Sequence, residues 1–543
     1  MEHSNIFKIC KRLGCCDACC LRYIGLKSSA AFEDPKQTAA QYEEKQATIE
    51  SDNSENNMMV GCKDISKANA EENDTDEDGS PPSKKLKSAI CVTCLGILQE
   101  ETWSDSLIMV KEELEKKRYA CGTFACALSA PIATILRERA VALHLQNEIQ
   151  HYDSNVLTPL KEAWKWSFGT KLAAFIDKNL DSGAVSPLLV TLNIEYADDL
   201  KELEILKTIA APLFESRSQQ RKRFTTEFTR RSVEQALEGV TLQALTDASD
   251  SGCLPSVTKA AECSSVVCSH APSYLGGRYI KLSRELPQTP WIVAGRRVMP
   301  SSVQEIIFQP LIDLYGMSEV EGEKRLKLIA AGREDVDVRC LADGRPFAIE
   351  ITDPQRQLSA EELESACKLI SKGGEVVVKQ LVPILKEDLA LLKKGEETKT
   401  KTYEALCIKL SHSKYDEAAE GAPVRVTAGD VSRVNAFRNT PPGDEARVRI
   451  AQRTPIRVLH RRTLLARTRH LLELHAAPVP GHPQLMRVRV RTSAGTYVKE
   501  WAHGELRRTS PALPQLLGAR ADLLALDVTA VHLPWPPGRD ATT

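Results

Sequence analysis

The residues best suited to chemistry lie in Ala331-Gly332-Arg333-Glu334-Asp335-Val336-Asp337-Val338-Arg339, where four charges fall within five positions. A carboxylate flanked by arginines stays ionised and is placed to meet an anionic substrate. The Val-Asp-Val-Arg alternation has the two-residue period of a half-buried strand, which makes Gly-Arg-Glu-Asp the loop that feeds it. A solvated turn at a strand edge would carry the same residues. The second chemical set is sulfur. Cys16-Asp17-Ala18-Cys19 and Cys91-Val92-Thr93-Cys94 offer four thiolates, the donor set of a tetrahedral structural zinc site.

About seventy residues separate the two pairs, where roughly fifteen to twenty are usual. Residues 27–88, between them, are rich in Glu, Asp, Asn, Ser and Lys. That composition predicts a disordered insertion, which a zinc site tolerates at a logarithmic entropy cost. Cys10, Cys15 and Cys20 are competing thiols nearby. Cys253, Cys263 and Cys268 with His270 match no common ligand spacing and read as loop thiols.

The elements that must position these residues need more than one domain, since 543 residues exceed a single core. Net charge is −1, but residues 421–520 hold about three bases for each acid, mostly arginine, which suits a phosphate-bearing partner. No apolar run reaches membrane-spanning length, the N-terminus lacks signal-peptide form, and the cysteines suit a reducing compartment. Pro82-Ser83-Lys84-Lys85-Leu86-Lys87 reads as a nuclear-import signal or a solvated linker. Residues 1–119 are expected to form the zinc module and 120–250 a mixed α/β domain. In the latter, Cys126–Ser129 and Pro187–Ile194 are strands, and 158–178 is a helix whose Trp164, Trp166 and Phe168 belong to the core. Arg221-Lys222-Arg223-Phe224 and a helix opening at Phe228-Thr229-Arg230-Arg231 could track a phosphate backbone. A linker is expected over 251–272. After it, Gly276-Gly277-Arg278-Tyr279-Ile280-Lys281-Leu282-Ser283-Arg284 and Pro287-Gln288-Thr289-Pro290-Trp291 have the composition of a mobile RNA-entering loop.

Together these blocks resemble the tRNA pseudouridine synthase family of archaea and eukaryotes that acts on the T loop. The resemblance is carried by Gly277-Arg278-Tyr279, Gln288–Trp291, Gly332–Arg339 and Gly344–Glu350. It continues through Lys401-Thr402-Tyr403-Glu404-Ala405-Leu406, Thr454–Arg462 and Ala494-Gly495-Thr496-Tyr497-Val498-Lys499-Glu500, in the family's order over residues 273–543. It implies an α+β catalytic domain with a mixed, mainly antiparallel sheet and flanking helices. Before it, residues 120–250 would be a THUMP-like RNA-binding domain joined to the zinc module.

The resemblance further implies uridine isomerisation, in which uracil leaves the ribose at N1, turns, and rejoins through C5. Asp335 would be the essential aspartate, with Asp337 supporting the strand or pairing with a neighbouring arginine. Lys499, on a Gly-Thr-Tyr-x-basic strand, would be its cation, and Tyr403 the active-site tyrosine. Leu513 or Leu516 would floor the pocket. Arg278, Tyr279, Lys281, Arg284, Gln288, Arg333, Arg457 and Arg508 would contact RNA, and Cys16, Cys19, Cys91 and Cys94 would hold zinc. Arg507-Arg508-Thr509 replaces an expected Gly-Arg-Thr, a change that bears on the local turn. The expected partner is the T arm of tRNA, bound by a monomer in nucleus and cytoplasm, with no membrane and no nucleotide cofactor. Two rivals are a non-catalytic RNA-binding factor and a metal-dependent nuclease using Asp337 and Glu350-Ile351-Thr352.

Overall fold

The computed structural model describes residues 2–43, 89–181, 183, 186–219, 226–249, 255–417 and 421–538. The basic run at 84–87, the basic-aromatic run at 221–224, residues 44–88 of the expected insertion, and Cys253 lie outside them. The chain divides into two compact units, Met1–His270 and Ala271–Thr543.

In the first unit, β1 (Thr123–Ser129), β2 (Asn179–Leu180), β3 (Leu188–Glu195) and β4 (Glu262–His270) form a sheet in the order β2-β1-β3-β4. β1 runs parallel to β2 and β3, whereas β4 is antiparallel to β3. The helix Leu160–Ile176 packs on it through Trp164 and Phe168, buried and stacked with ring centroids 4.9 Å apart. These aromatics are core, as expected. The helix Arg230–Ala236 also opens where predicted, because the Thr229 hydroxyl accepts the Ser232 amide at its start.

Three expectations about this half need correction. Residues 1–119 and 120–250 are not separate bodies. Phe7, Tyr23, Phe32, Phe124, Leu172 and Cys268 belong to one buried cluster. Residues 251–272 are not simply a linker, since 262–270 is β4, whose inward Cys268 packs on that core. The acidic insertion begins later than 27. Ser29–Glu33 is a helix and 35–43 is helical, with Phe32 fully buried as an apolar anchor that average composition conceals.

The second unit is built on ten strands. In chain order they are β5 (Ser273–Lys281), β8 (Leu326–Ala330), β9 (Arg339–Ile351), β10 (Val376–Ile384), β11 (Thr400–Lys409), β12 (Val448–Arg453), β13 (Ala466–Val479), β14 (His482–Thr492), β15 (Thr509–Ser510) and β16 (Ala521–His532). A separate hairpin, β6 (Ile292–Val293) and β7 (Arg296–Arg297), stands apart. The sheet order is β10-β5-β9-β16-β11-β14-β13-β12-β15, with β8 beside β9. Pairings are antiparallel except for β9 with β16, so the sheet is mixed and mainly antiparallel. One core gathers Phe308, Leu311, Phe347 and Val376 under the helices Val303–Tyr315 and Ala360–Ser371. Another gathers Leu474, Val490, Trp501 and Leu513.

The expected mobile loop at 276–284 is instead mostly strand β5, paired on both sides. Its glycines serve close approach rather than flexibility: a Cβ on Gly277 would stand 2.7 Å from the Gln380 carbonyl oxygen. The Val336–Arg339 alternation likewise does not form a strand until Arg339, where β9 begins.

Candidate active site and metal centre

β8 and β9 pair antiparallel, and residues 331–338 form the excursion between them. Side chains from β5, from the segment that follows it and from β9 clamp this loop. Lys281, fully buried on β5, donates from Nζ to the carbonyls of Asp335 (3.2 Å) and Val336 (2.7 Å). Arg284 donates to the Asp337 carbonyl (2.9 Å) and ion-pairs with Asp527 on β16 (2.7 Å). Gln288 donates to the Gly332 carbonyl (3.0 Å) and to the Tyr279 hydroxyl (2.8 Å), which in turn donates to Glu334 (2.7 Å). Glu334 is buried against Arg345 in an ion pair of 2.5 Å, and Arg345 also holds the Ala331 carbonyl (2.9 Å). A buried pair of this kind survives only when its remaining donors and acceptors are engaged. Glu334 therefore points inward and is spent on structure.

Asp335, the next residue, points the other way. Its carboxylate lies 3.2 Å from Arg457 and 3.2 Å from Lys499, and it is partly exposed. Arg457 is oriented by buried Glu500 (2.7 Å). Lys499 makes its shortest contacts to Asp337, at 2.7 and 2.8 Å. Burial opposes charge on Asp337, but Lys499 outweighs it and holds that carboxyl below the usual range. Lys499 sits in the first turn of the helix Val498–His503, not on a strand as expected. It makes a single contact with Asp335, and the partner of Asp337 is this lysine rather than an arginine.

Asp335 opens onto a cavity of about 680 Å³ lined by Arg333, Glu334, Asp335, Arg345, Lys399, Lys401, Tyr403, Arg457, Arg461, Arg462, Tyr497 and Lys499, with Val338, Val498, Leu526 and Val528 among its apolar walls. Asp337 is not part of that lining. Burial pushes the Tyr403 phenol up to about 12. Burial, then Arg345 and Lys399, pull the Lys401 ammonium down to about 7. Gly332, at φ +88°, leaves room for these cations: a Cβ there would stand 3.3 Å from both Arg345 Nη1 and Lys401 Nζ. Lys401 and Tyr403, two positions apart, share one face of β11, and Lys399 lies just before the strand begins.

Asp335, Tyr403, Lys499, Arg333 and Arg457 thus meet at one cavity. Other expected RNA contacts do not. Tyr279 and Lys281 are fully buried, and Gln288 nearly so. Arg278 spends its guanidinium on the carbonyls of Asp343, Gly344, Val531 and Leu533. Arg284 and Arg508 are likewise engaged within the unit, Arg508 with the Thr454 carbonyl (2.7 Å) and Glu505 (3.4 Å). Tyr279, Lys281, Arg284 and Gln288 hold the loop, while the half-buried Arg278 and Arg508 bind carbonyls elsewhere in the unit. Leu513 and Leu516 are core residues, not the pocket floor. Sequence reasoning missed Lys399, Lys401, Arg345 and Glu334, although the Lys-x-Lys-x-Tyr period pointed to the first two.

The nuclease alternative loses its geometry. Asp337 precedes β9 and Glu350 lies near its far end: the β5 partners of Cys340 and Glu350, Lys281 and Tyr274, are seven residues or ~23 Å apart.

The first unit holds a second candidate site. The sulfur atoms of Cys16, Cys19, Cys91 and Cys94 all lie within 4.8 Å of one another, and no other such group occurs among the described residues. Cys16 and Cys94 sulfurs are 3.8 Å apart, close to the ~3.8 Å edge of a tetrahedron with metal–sulfur bonds of ~2.3 Å. The Cys16 amide donates to Cys91 Sγ (3.2 Å), as amides do to metal-bound thiolates. Cys10, Cys15 and Cys20 are buried nearby but outside the group. Four sulfur donors in a buried pocket fit a closed, structural metal site.

Fold and site together define an enzyme-like α+β domain: a mixed sheet that presents one carboxylate between two cations over a strongly basic cavity. The family model described as "Pus10, C-terminal" matches residues 274–532, and "Eukaryotic Pus10, N-terminal" matches residues 91–265. The Mus musculus protein called tRNA pseudouridine synthase Pus10 is 30% identical over 560 residues, covering 99% of both chains. The protein of the same name from Xenopus laevis is 29% identical over 563 residues, again covering 99% of both. An archaeal relative from Thermofilum pendens is 32% identical over 48% of this chain and 53% of its own. Among solved structures, a chain of a Cbf5-Nop10-Gar1 complex aligns over 47% of this chain and 48% of its own at TM-score 0.24 and 15% identity, too little to bear on the fold. The chain belongs to the Pus10 family of tRNA pseudouridine synthases.

Proposed function

We propose that this chain isomerises uridine to pseudouridine in the T loop of tRNA, with Asp335 as the reacting carboxylate. The observation that carries the assignment is that Asp335 lines the cavity between Arg457 and Lys499 whereas Asp337, two residues on, does not. Membership of the Pus10 family supports the reaction class. In the isomerisation the N1–C1′ bond breaks, the uracil turns, a C5–C1′ bond forms, and the C5 proton is lost to N1 or solvent. Attack at C1′, addition to the base and removal of a ribose proton all require an ionised carboxylate, which the two cations favour. Tyr403 offers a ring on which the base stacks, and its raised phenol pKa keeps the hydroxyl protonated as a donor. The cavity falls within the roughly 300–1,000 Å³ common for small-ligand clefts, room for one extracted nucleotide. Extraction costs a few kcal/mol of stacking and pairing, which phosphate contacts from Arg333 and its basic neighbours would offset.

We further propose zinc in the four-cysteine site, a THUMP-like RNA-binding role for the first unit, and a monomer working in nucleus and cytoplasm. The donor set supports the metal, and the α/β sheet is compatible with the role.

The test is pseudouridine mapping on unmodified tRNA transcript. Asp335→Ala should lower the rate by about 10²–10⁴-fold, while Asp337→Ala retains activity at a reduced level. Full activity in Asp335→Ala would overturn Asp335 as the reacting group, whereas no pseudouridine from the unaltered protein would return the chain to a purely RNA-binding role.

A further inference from the structure

Beside the main cavity lies a second of about 250 Å³, lined by five arginines and no acidic residue: Arg453, Arg461, Arg462, Arg467 and Arg469. β12 ends in Arg453, β13 carries Arg467 and Arg469, and the connection between the strands supplies Arg461 and Arg462. Among the described residues no carboxylate ion-pairs with any of the five. Five cations converging without counter-charge repel one another, an arrangement that an external anion would relieve. The Arg469 guanidinium is pulled below its ordinary value, first by burial and then by Arg467. It nevertheless has a built seat. Its Nε donates to the Gly495 carbonyl (3.1 Å), and Gly495, at φ +71°, leaves the gap in which it lies. A Cβ there would stand 3.0 Å from Arg469 Nη2. Arginine is the residue suited to this task, because its planar fork grips phosphate through paired donors. The two cavities share Arg461, Arg462 and Tyr497 as lining, so a strand leaving the first enters the second without a break.

We propose that this arginine-lined cavity holds backbone phosphates of the RNA strand immediately beside the nucleotide extracted into the main cavity. The inference rests on the uridine-isomerising function proposed above and adds a place for the flanking backbone. The strand's position over the sheet is then fixed from one side by the arginines and from the other by the nucleotide itself.

The test measures binding of the full chain to unmodified tRNA transcript across a series of salt concentrations. Each lost phosphate contact makes the slope of log K against log salt shallower by about 0.7–0.9. The double variant Arg467→Gln/Arg469→Gln should bind at least tenfold more weakly and lose about 1.4–1.8 from the slope. Arg487→Gln/Arg489→Gln, with the same charge change on β14 away from the cavity, should move the slope by less than half as much. Phosphate-ethylation interference on the unaltered protein gives an answer that does not depend on folding of a variant. Ethylating the phosphates next to the target uridine should block binding. Equal slopes in both double variants, or no interference beside the target, would overturn the proposal. Pseudouridine formation by the unaltered protein is scored in the same preparations. Its absence would sink the catalytic assignment while leaving the phosphate result to be judged separately.

Discussion

Lys401 is an amine placed among other cations. Its pKa of about 7 lies far below the ordinary 10.5. Between those values the unfolded chain binds a proton that the folded chain does not. Stability should therefore rise with pH across that window, by at most ~1.4 kcal/mol per unit, and the deficit is complete below about 7. Lys401→Met should be more stable than the parent at pH 7 and should lose this dependence. Denaturant unfolding of both proteins at pH 7 and pH 9 reads the difference. A second residue-scale prediction concerns the turn where arginine replaces an expected glycine. Glu505, Leu506 and Arg507 all have positive φ, with Arg507 at +65°. The departure from Gly-Arg-Thr has not changed the turn's hand, so the side chain sits in a conformation that costs ~1–2 kcal/mol. Arg507→Gly should raise the unfolding free energy by about 1 kcal/mol, seen as a higher melting temperature.

At the scale of elements, the reacting loop is held by its backbone. Lys281→Met would leave two loop carbonyls without their buried donor, costing ~1–3 kcal/mol. Asp335 would shift away from Arg457 and Lys499. Pseudouridine formation should fall by about tenfold or more, and substitution by arginine should not restore it, because the site is fully enclosed. Rates and melting curves for Lys281→Met and Lys281→Arg check this. The same contacts explain what was legible in the sequence. Helix Leu160–Ile176 and strands β1 and β3 follow from local apolar pattern. The group Asp335, Tyr403 and Lys499 was reached through ordered blocks. The path of residues 331–338 was not legible, because Lys281, Arg284, Gln288 and Arg345 set it from distant positions. A valine-aspartate alternation carries no trace of those partners. For the same reason buried Tyr279, Lys281 and Gln288 read as RNA contacts: a polar residue that satisfies another part of the chain looks, in sequence, like one that faces solvent.

At the scale of the molecule, the four cysteines join the N-terminal helices to the sheet of the first unit inside one core. Between Cys19 and Cys91 lie about 70 residues, and lengthening a loop from ~18 to ~70 residues adds only ~1.2 kcal/mol to closure. A bound metal recovers that readily. Chelation should release about one metal ion per chain and make residues 1–270 protease-sensitive, while residues 271–543 stay resistant. Metal analysis together with limited proteolysis tests both parts. That the expected zinc module and accessory domain share a core was hidden in the sequence, since separation along a chain says little about who packs with whom.

The parallel pairing of β9 with β16 has a consequence for the order in which the protein can be finished as it is made. β16 is the last strand of the second unit, yet it lies between β9 and β11. Until it arrives, β10-β5-β9 and β11-β14-β13-β12 are two half-sheets with open edges facing each other, and the wall formed by Leu526 and Val528 is missing. Arg278, deep in β5, waits for the carbonyls of Val531 and Leu533. A ribosome must therefore pass residue 533 before the site near residue 335 can exist. A premature stop ahead of β16 would cost the centre of the sheet, not its fringe.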